Sequence, residues 1–271
     1  MKKHLCSPRF YLLCALVSTL VAGILQTLAY KSTYGTPLAN YFDATSLLPK
    51  IAVGFSILTC LFGIAAALLY NKEEICENSP LGDLSSLPAA VGMLTGAVLM
   101  LLSSGTKLAL AIAILFLLAT IYQVLLSFRL INDPAVIALI GFANVVGCIL
   151  LVGYFYFDSS MEMNAPIKIS AMIGILFVAL YYTYEVRTLL GKPLPKLYTI
   201  LTVSVTGIGV LASFPVTLAY LVFHHFDKNS IYSVSSLPFQ HPEYLACSLI
   251  LIGVCTSAVW RLCRNICKKT P

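Results

Sequence analysis

Eight apolar runs, each about 18 to 25 residues long and parted by short polar connections, constrain this chain more than any other feature. A helix rises 1.5 Å per residue, so each run reaches across a hydrocarbon core of roughly 30 Å with every backbone N–H and C=O paired internally. A transmembrane barrel would instead alternate apolar and polar residues over segments of about ten, and no such pattern is present. The reading is therefore all-α: one polytopic transmembrane bundle over residues 1–271, with about eight helices. The spans are predicted at 10–30, 51–70, 88–103, 108–128, 135–157, 167–190, 197–223 and 244–262. Composition agrees, since 59% of residues are hydrophobic and 10% charged, against roughly 25% charged in soluble domains.

The first run follows a basic start at Lys2, Lys3 and Arg9. Thr27-Leu28-Ala29 is a tolerable signal-peptidase site, but the run exceeds the 7 to 15 apolar residues usual for a signal core, so a retained span is expected. Cleavage would leave seven spans and an outside N-terminus. With the N-terminus inside, the outer segments hold only Lys31, Lys50, Lys107, Lys168 and Lys228, and the remaining twelve of the 17 Lys and Arg residues fall inside. That asymmetry obeys the positive-inside rule with eight spans and both termini cytoplasmic. The net charge of +6 is thus an orientation signal and implies no nucleic-acid partner. The expected location is a cell membrane, most naturally a bacterial plasma membrane, and the partner every span requires is the lipid bilayer.

Local punctuation supports these limits. Asn132-Asp133-Pro134 caps the start of the fifth span, and Gly191 with Pro193 and Pro195 stops the sixth. Pro215 lies inside the seventh span, where its ring removes a helical hydrogen bond and predicts a kink. The tetrapeptides ending at Pro49, Pro88 and Pro238 recur before spans, which is economical helix punctuation as readily as a trace of duplication. Gly92 and Gly96 have the spacing of a close helix contact. Nine cysteines scattered over such a chain form no small-protein disulfide framework.

Chemistry centres on the stretch 176–196, which joins an apolar helix to an aromatic belt, a carboxylate, cations and a stop. Carboxylates within spans are expensive and commonly functional. Glu185 stands about 27 Å along the sixth helix from Ile167, near the cytoplasmic interface. It reads either as a proton or cation relay or, more plainly, as an interfacial ion pair with Arg129, Lys192 or Lys196 that snorkels to water. Tyr181, four residues earlier, shares its face and is placed to orient the carboxylate. Asn144 is polar within the fifth span. The seventh span gathers Thr202, Ser204, Thr206, Ser213 and Thr217 around two glycines and Pro215, which makes it the expected cavity-lining helix, with helix packing as the simpler alternative. His224, His225 and His241, near Asp227 and Glu243, are a weak metal alternative whose spacing matches no ligand motif; no metal or other cofactor is expected.

Other chemistries lack their residues. No histidine lies mid-span to hold a transmembrane haem, and the last two spans carry no interior lysine for a retinal Schiff base. No P-loop, His-Glu-x-x-His, Gly-x-Ser-x-Gly or periodic arginine row is present, so an enzyme is not expected. The favoured class is a small-molecule or ion permease, or the membrane subunit of one. The alternative is a non-catalytic regulatory or scaffolding protein whose partner is another membrane protein.

Overall fold

In the computed structural model, the described residues are 7–33, 45–69, 82–103, 106–130, 133–159, 163, 165–218 and 242–267. They form eight long helices and, among the described residues, no strand: α1 Pro8–Thr33, α2 Leu48–Leu69, α3 Leu87–Ser103, α4 Lys107–Phe128, α5 Pro134–Phe157, α6 Pro166–Leu189, α7 Pro195–Leu218 and α8 Pro242–Cys267. Each is long and apolar enough to cross a membrane, so the protein is a multi-pass helical membrane protein. A single 3-10 turn, Leu84–Ser86, precedes α3.

The helix ends follow from local chemistry. Asp133 caps α5 by accepting from the Ala135 N–H at 2.9 Å, with Pro134 at the first helical position. Gly191 ends α6 at φ +75°, and the Lys192 N–H reaches back to the Arg187 carbonyl at 3.2 Å. α7 continues past Pro215 to Leu218. Residues 219–241, which include His224, His225 and His241 of the weak metal reading and the last turn predicted for the seventh span, lie outside the described residues.

Six helices close into a ring in which α3, α4, α5, α6, α7 and α8 each pack on the next, and α8 returns to α3. The tightest seam is α3 on α8. A Cβ added to Gly92 would stand 2.6 Å from the Leu249 carbonyl oxygen, and one on Gly253 would stand 2.6 Å from that of Pro88. Gly92 and Gly96 both face α8, so the close contact their spacing predicts is made, with Gly253 as an unpredicted partner. The Ala89 N–H, an orphan donor of the first turn, is taken up by Ser257 Oγ at 3.0 Å. The ring core is apolar, built from Met93, Ile112, Phe116, Cys148, Ile175, Val178, Cys247 and Ile250 among others.

The α1–α2 pair docks outside the ring on α7. Ser18 and Thr19 of α1 bond to the Phe55 carbonyl and the Thr59 hydroxyl of α2. Gly63 and Gly207 bring α2 and α7 together, and Gly23 seats α1 on Val210 and Phe214. α7 is thus covered on two sides, by α1–α2 and by α6 and α8.

Candidate functional site

The even-numbered connections, α2 to α3, α4 to α5 and α6 to α7, share one face with the start of α1 and the end of α8, here called the terminal face. Just beneath it, side chains from four other elements gather around Arg261 of α8. Glu185 of α6 accepts from Arg261 Nη1 through Oε1 at 2.6 Å, and its Oε2 accepts from the Tyr122 hydroxyl of α4 at 3.1 Å. Nη1 also donates to the hydroxyls of Tyr181 on α6 and, at 2.7 Å, Tyr198 on α7. Arg261 Nη2 and Nε donate to Ser86 Oγ at 2.7 Å and Ser85 Oγ at 3.1 Å, both from the turn before α3. The guanidinium additionally lies over the Tyr181 ring, 5.8 Å from its centroid. Glu185 is 0% exposed and Arg261 5%.

A second ion pair seals the cluster from the face above. Asp83 accepts from Arg264 in the two-pronged geometry favoured by guanidinium and carboxylate, at 2.8 Å and 2.8 Å, and stands 3.6 Å from Arg261 Nε. Asp83 is positioned because it also caps the 3-10 turn, accepting from the Ser85 N–H at 3.0 Å. The preceding Gly82, at φ +77°, donates its N–H to the Leu126 carbonyl of α4 at 2.7 Å. That left-handed backbone suits glycine and lays the 82–86 strap across the end of the ring. The four ionised side chains sum to zero charge, two guanidinium groups against two carboxylates.

A stacked row of tyrosines forms the floor. Tyr198 lies flat between Tyr181 and Tyr184, each at 5.7 Å, and Tyr182 meets Tyr122 edge to face at 6.5 Å. The opposite end of the ring has its own polar group. Tyr244 of α8 donates to Asp158 at 3.2 Å, Tyr154 of α5 donates to Glu243 at 3.4 Å, and the buried Lys168 ammonium donates to the Asp158 carbonyl at 2.5 Å. Glu243 and Arg261 are 18 residues apart on α8, about 27 Å of helix.

The structure corrects three expectations. Glu185 does not snorkel: it is fully enclosed, and it pairs with Arg261, not with Arg129, Lys192 or Lys196. The depth from Ile167 is as expected, but α8 and the 82–86 strap extend over that depth and shut out water. Tyr181 bonds the guanidinium, and Tyr122 holds the carboxylate. Two of the α7 hydroxyls expected to line a cavity bond within their own helix. Thr206 and Ser213 donate to the carbonyls one turn back, Thr202 at 2.8 Å and Gly209 at 2.5 Å, which satisfies them inside their own helix. Pro215 sits in the same buried stretch of α7.

Asn144 stands apart from the cluster. It is 0% exposed on α5, ten residues or about 15 Å from Pro134, and neither its amide nitrogen nor its oxygen has a hydrogen-bond partner. Among the described residues no group of three metal-ligating side chains is close enough to hold a metal ion. Sequence reasoning missed Arg261, Asp83 and Arg264, and with them the hydroxyls of Tyr122, Tyr198, Ser85 and Ser86. Arg261 lies within the apolar run 244–262, and a search for opposite charges at equal depth in different spans would have matched it to Glu185. The chain matches no family model, no curated protein and no solved structure.

Proposed function

We propose that the protein is a membrane permease for a small polar solute or ion, with the six-helix ring as its pathway and the Arg261–Glu185 cluster as the latch on the terminal face. The observation that carries this reading is the fully buried ion pair. Desolvating two charges costs more than their attraction reliably returns, so such a pair is a poor way to add stability. Ionisable groups at this depth commonly mark a pathway. Because the pair binds α6 to α8 and recruits hydroxyls from α4, α7 and the strap, its opening releases one whole end of the ring.

Asn144 supports the same reading. A buried amide with two unbonded polar atoms is costly unless something pairs with it, and Asn144 lies at mid-depth between the two polar ends, where a solute would be held. The orientation follows the charge asymmetry: the terminal face is cytoplasmic. Purified protein in proteoliposomes, tested with a panel of labelled amino acids, sugars and small organic ions, should take up at least one of them. Asn144→Leu should abolish that uptake, and Glu185→Gln should change its rate. If the wild type moves none above protein-free vesicles while a stable membrane partner co-purifies, the permease reading fails and the scaffolding one replaces it.

A further inference from the structure

A crevice of about 470 Å³ opens sideways from the helix bundle between α2 and α6, over α7. None of the cluster residues and not Asn144 line it, so it is independent of the pathway proposed above. Its volume falls within the roughly 300 to 1,000 Å³ of small-molecule sites. The rim is apolar and turned to the bilayer: Ile57 and Ile173 are exposed. Prolines at the starts of α2 and α6, Pro49 and Pro166, mark its outer end, on the face opposite the terminal one.

Three polar side chains break this apolar lining: Ser170 of α6 donates to the Ile167 carbonyl of its own helix at 3.0 Å, and the other two have an unpartnered oxygen. Gln26 of α1 and Ser56 of α2 are each 5% exposed, and Gln26 Oε1 and Ser56 Oγ have no hydrogen-bond partner. The contact between Thr19 and Thr59 sets the register of these antiparallel helices. Counting from it, Gln26 lies about 10 Å along α1 and Ser56 about 4 Å along α2, an offset of roughly 6 Å. Side chains on a helix tend to lean toward its own N-terminus, a tendency that narrows this axial offset from both sides. One oxygen between them can serve both, donating to Gln26 Oε1 and accepting from the Ser56 hydroxyl. Ser56 is eight residues, about 12 Å, below the start of α2, so a molecule held there has its hydroxyl within the hydrocarbon depth and its body along the apolar lining.

We infer that this crevice binds a membrane amphiphile whose polar part is a single free hydroxyl, with Gln26 and Ser56 reading the hydroxyl and the isoleucine-lined walls its apolar body. Sterols and diacylglycerols share that chemistry. Full-length protein in phosphatidylcholine nanodiscs is irradiated with a diazirine-bearing sterol or a diazirine-bearing diacylglycerol, each compared with its own methyl ether, and the labelled peptides are mapped. The expected result is labelling of residues 49–60 and 166–173 by one free-hydroxyl probe, about fivefold to thirtyfold above its ether, as the loss of one or two hydrogen bonds in an apolar site brings. The probe that discriminates names the source. The Gln26→Leu/Ser56→Ala double variant should label equally with alcohol and ether. If this variant does not fold, competition on the wild type by unlabelled alcohol against unlabelled ether decides the same point. Equal labelling by alcohol and ether for both probes, or equal competition, overturns the inference and leaves the crevice to ordinary acyl chains.

Discussion

Replacing Arg261 by methionine should destabilise the protein much more than replacing Glu185 by glutamine, although the two side chains form one ion pair. With Arg261 gone, Glu185 stays fully buried with a single hydrogen bond from Tyr122, and Ser85, Ser86, Tyr181 and Tyr198 lose their shared donor. Breaking a buried pair by removing one partner costs about 3 to 5 kcal/mol, and Arg261→Met belongs at the upper end of that range. With Glu185 neutral, Arg261 still has Asp83 at 3.6 Å and four hydroxyl acceptors. Glu185→Gln should therefore cost about 1 to 3 kcal/mol, the range for one compromised buried polar contact. Arg261→Met/Glu185→Leu removes both charges and should recover much of the loss, since apolar replacement of a buried pair is often close to neutral. The chain has one tryptophan, Trp260, next to Arg261, so its fluorescence during titration with a denaturing detergent reports unfolding at the site. If both single variants cost less than about 1 kcal/mol and the double variant shows no coupling between them, the cluster is a solvated surface feature and the reasoning fails.

Three further outcomes follow from the fold. Gly253→Ala places a methyl 2.6 Å from the Pro88 carbonyl oxygen, so the α3–α8 seam must open at a cost of about 1 to 3 kcal/mol, read in the same titration. Gly82→Ala forces a Cβ into the left-handed region at φ +77° and onto the Arg129 side chain; a loss of about 1 to 2 kcal/mol is expected, and the Asp83–Arg264 pair should loosen with it, read as faster hydrogen exchange at Ser85 and Ser86. For orientation, the exposed Cys263 should react with a membrane-impermeant thiol reagent only from the cytoplasmic side, and Ser159→Cys only from the other; the reverse pattern would invert the topology.

Much of the architecture was legible in the residues because hydropathy and punctuation are local. Uninterrupted apolar runs force helices in lipid, and Asp133-Pro134 and Gly191 act through bonds made within a few residues of themselves. The site was only half legible. Glu185 announced itself by its cost in an apolar span, but its partner lies 76 residues away, and the choice of Arg261 over nearer cations is set by the ring bringing α8 within reach of α6 past α7. Asp83, in the polar connection before α3, could not be singled out because its burial depends on Gly82 folding the strap over the bundle. The hydroxyls of α7 misled for a related reason. Composition shows polar groups in a span but not whether each bonds back to its own helix, as Thr206 and Ser213 do.

The central claim is that the Arg261–Glu185 cluster closes a path from the terminal face to the middle of the ring, and thiol accessibility of Asn144→Cys tests it most directly. In membranes, with the ion pair intact, a charged water-soluble thiol reagent should leave this cysteine unmodified. With Arg261→Met added, the same reagent should modify it from the terminal face, while Trp260 fluorescence shows the protein still folded. A cysteine at position 144 that stays unreactive in the folded Arg261→Met background would mean that apolar packing seals the ring, and would contradict the latch.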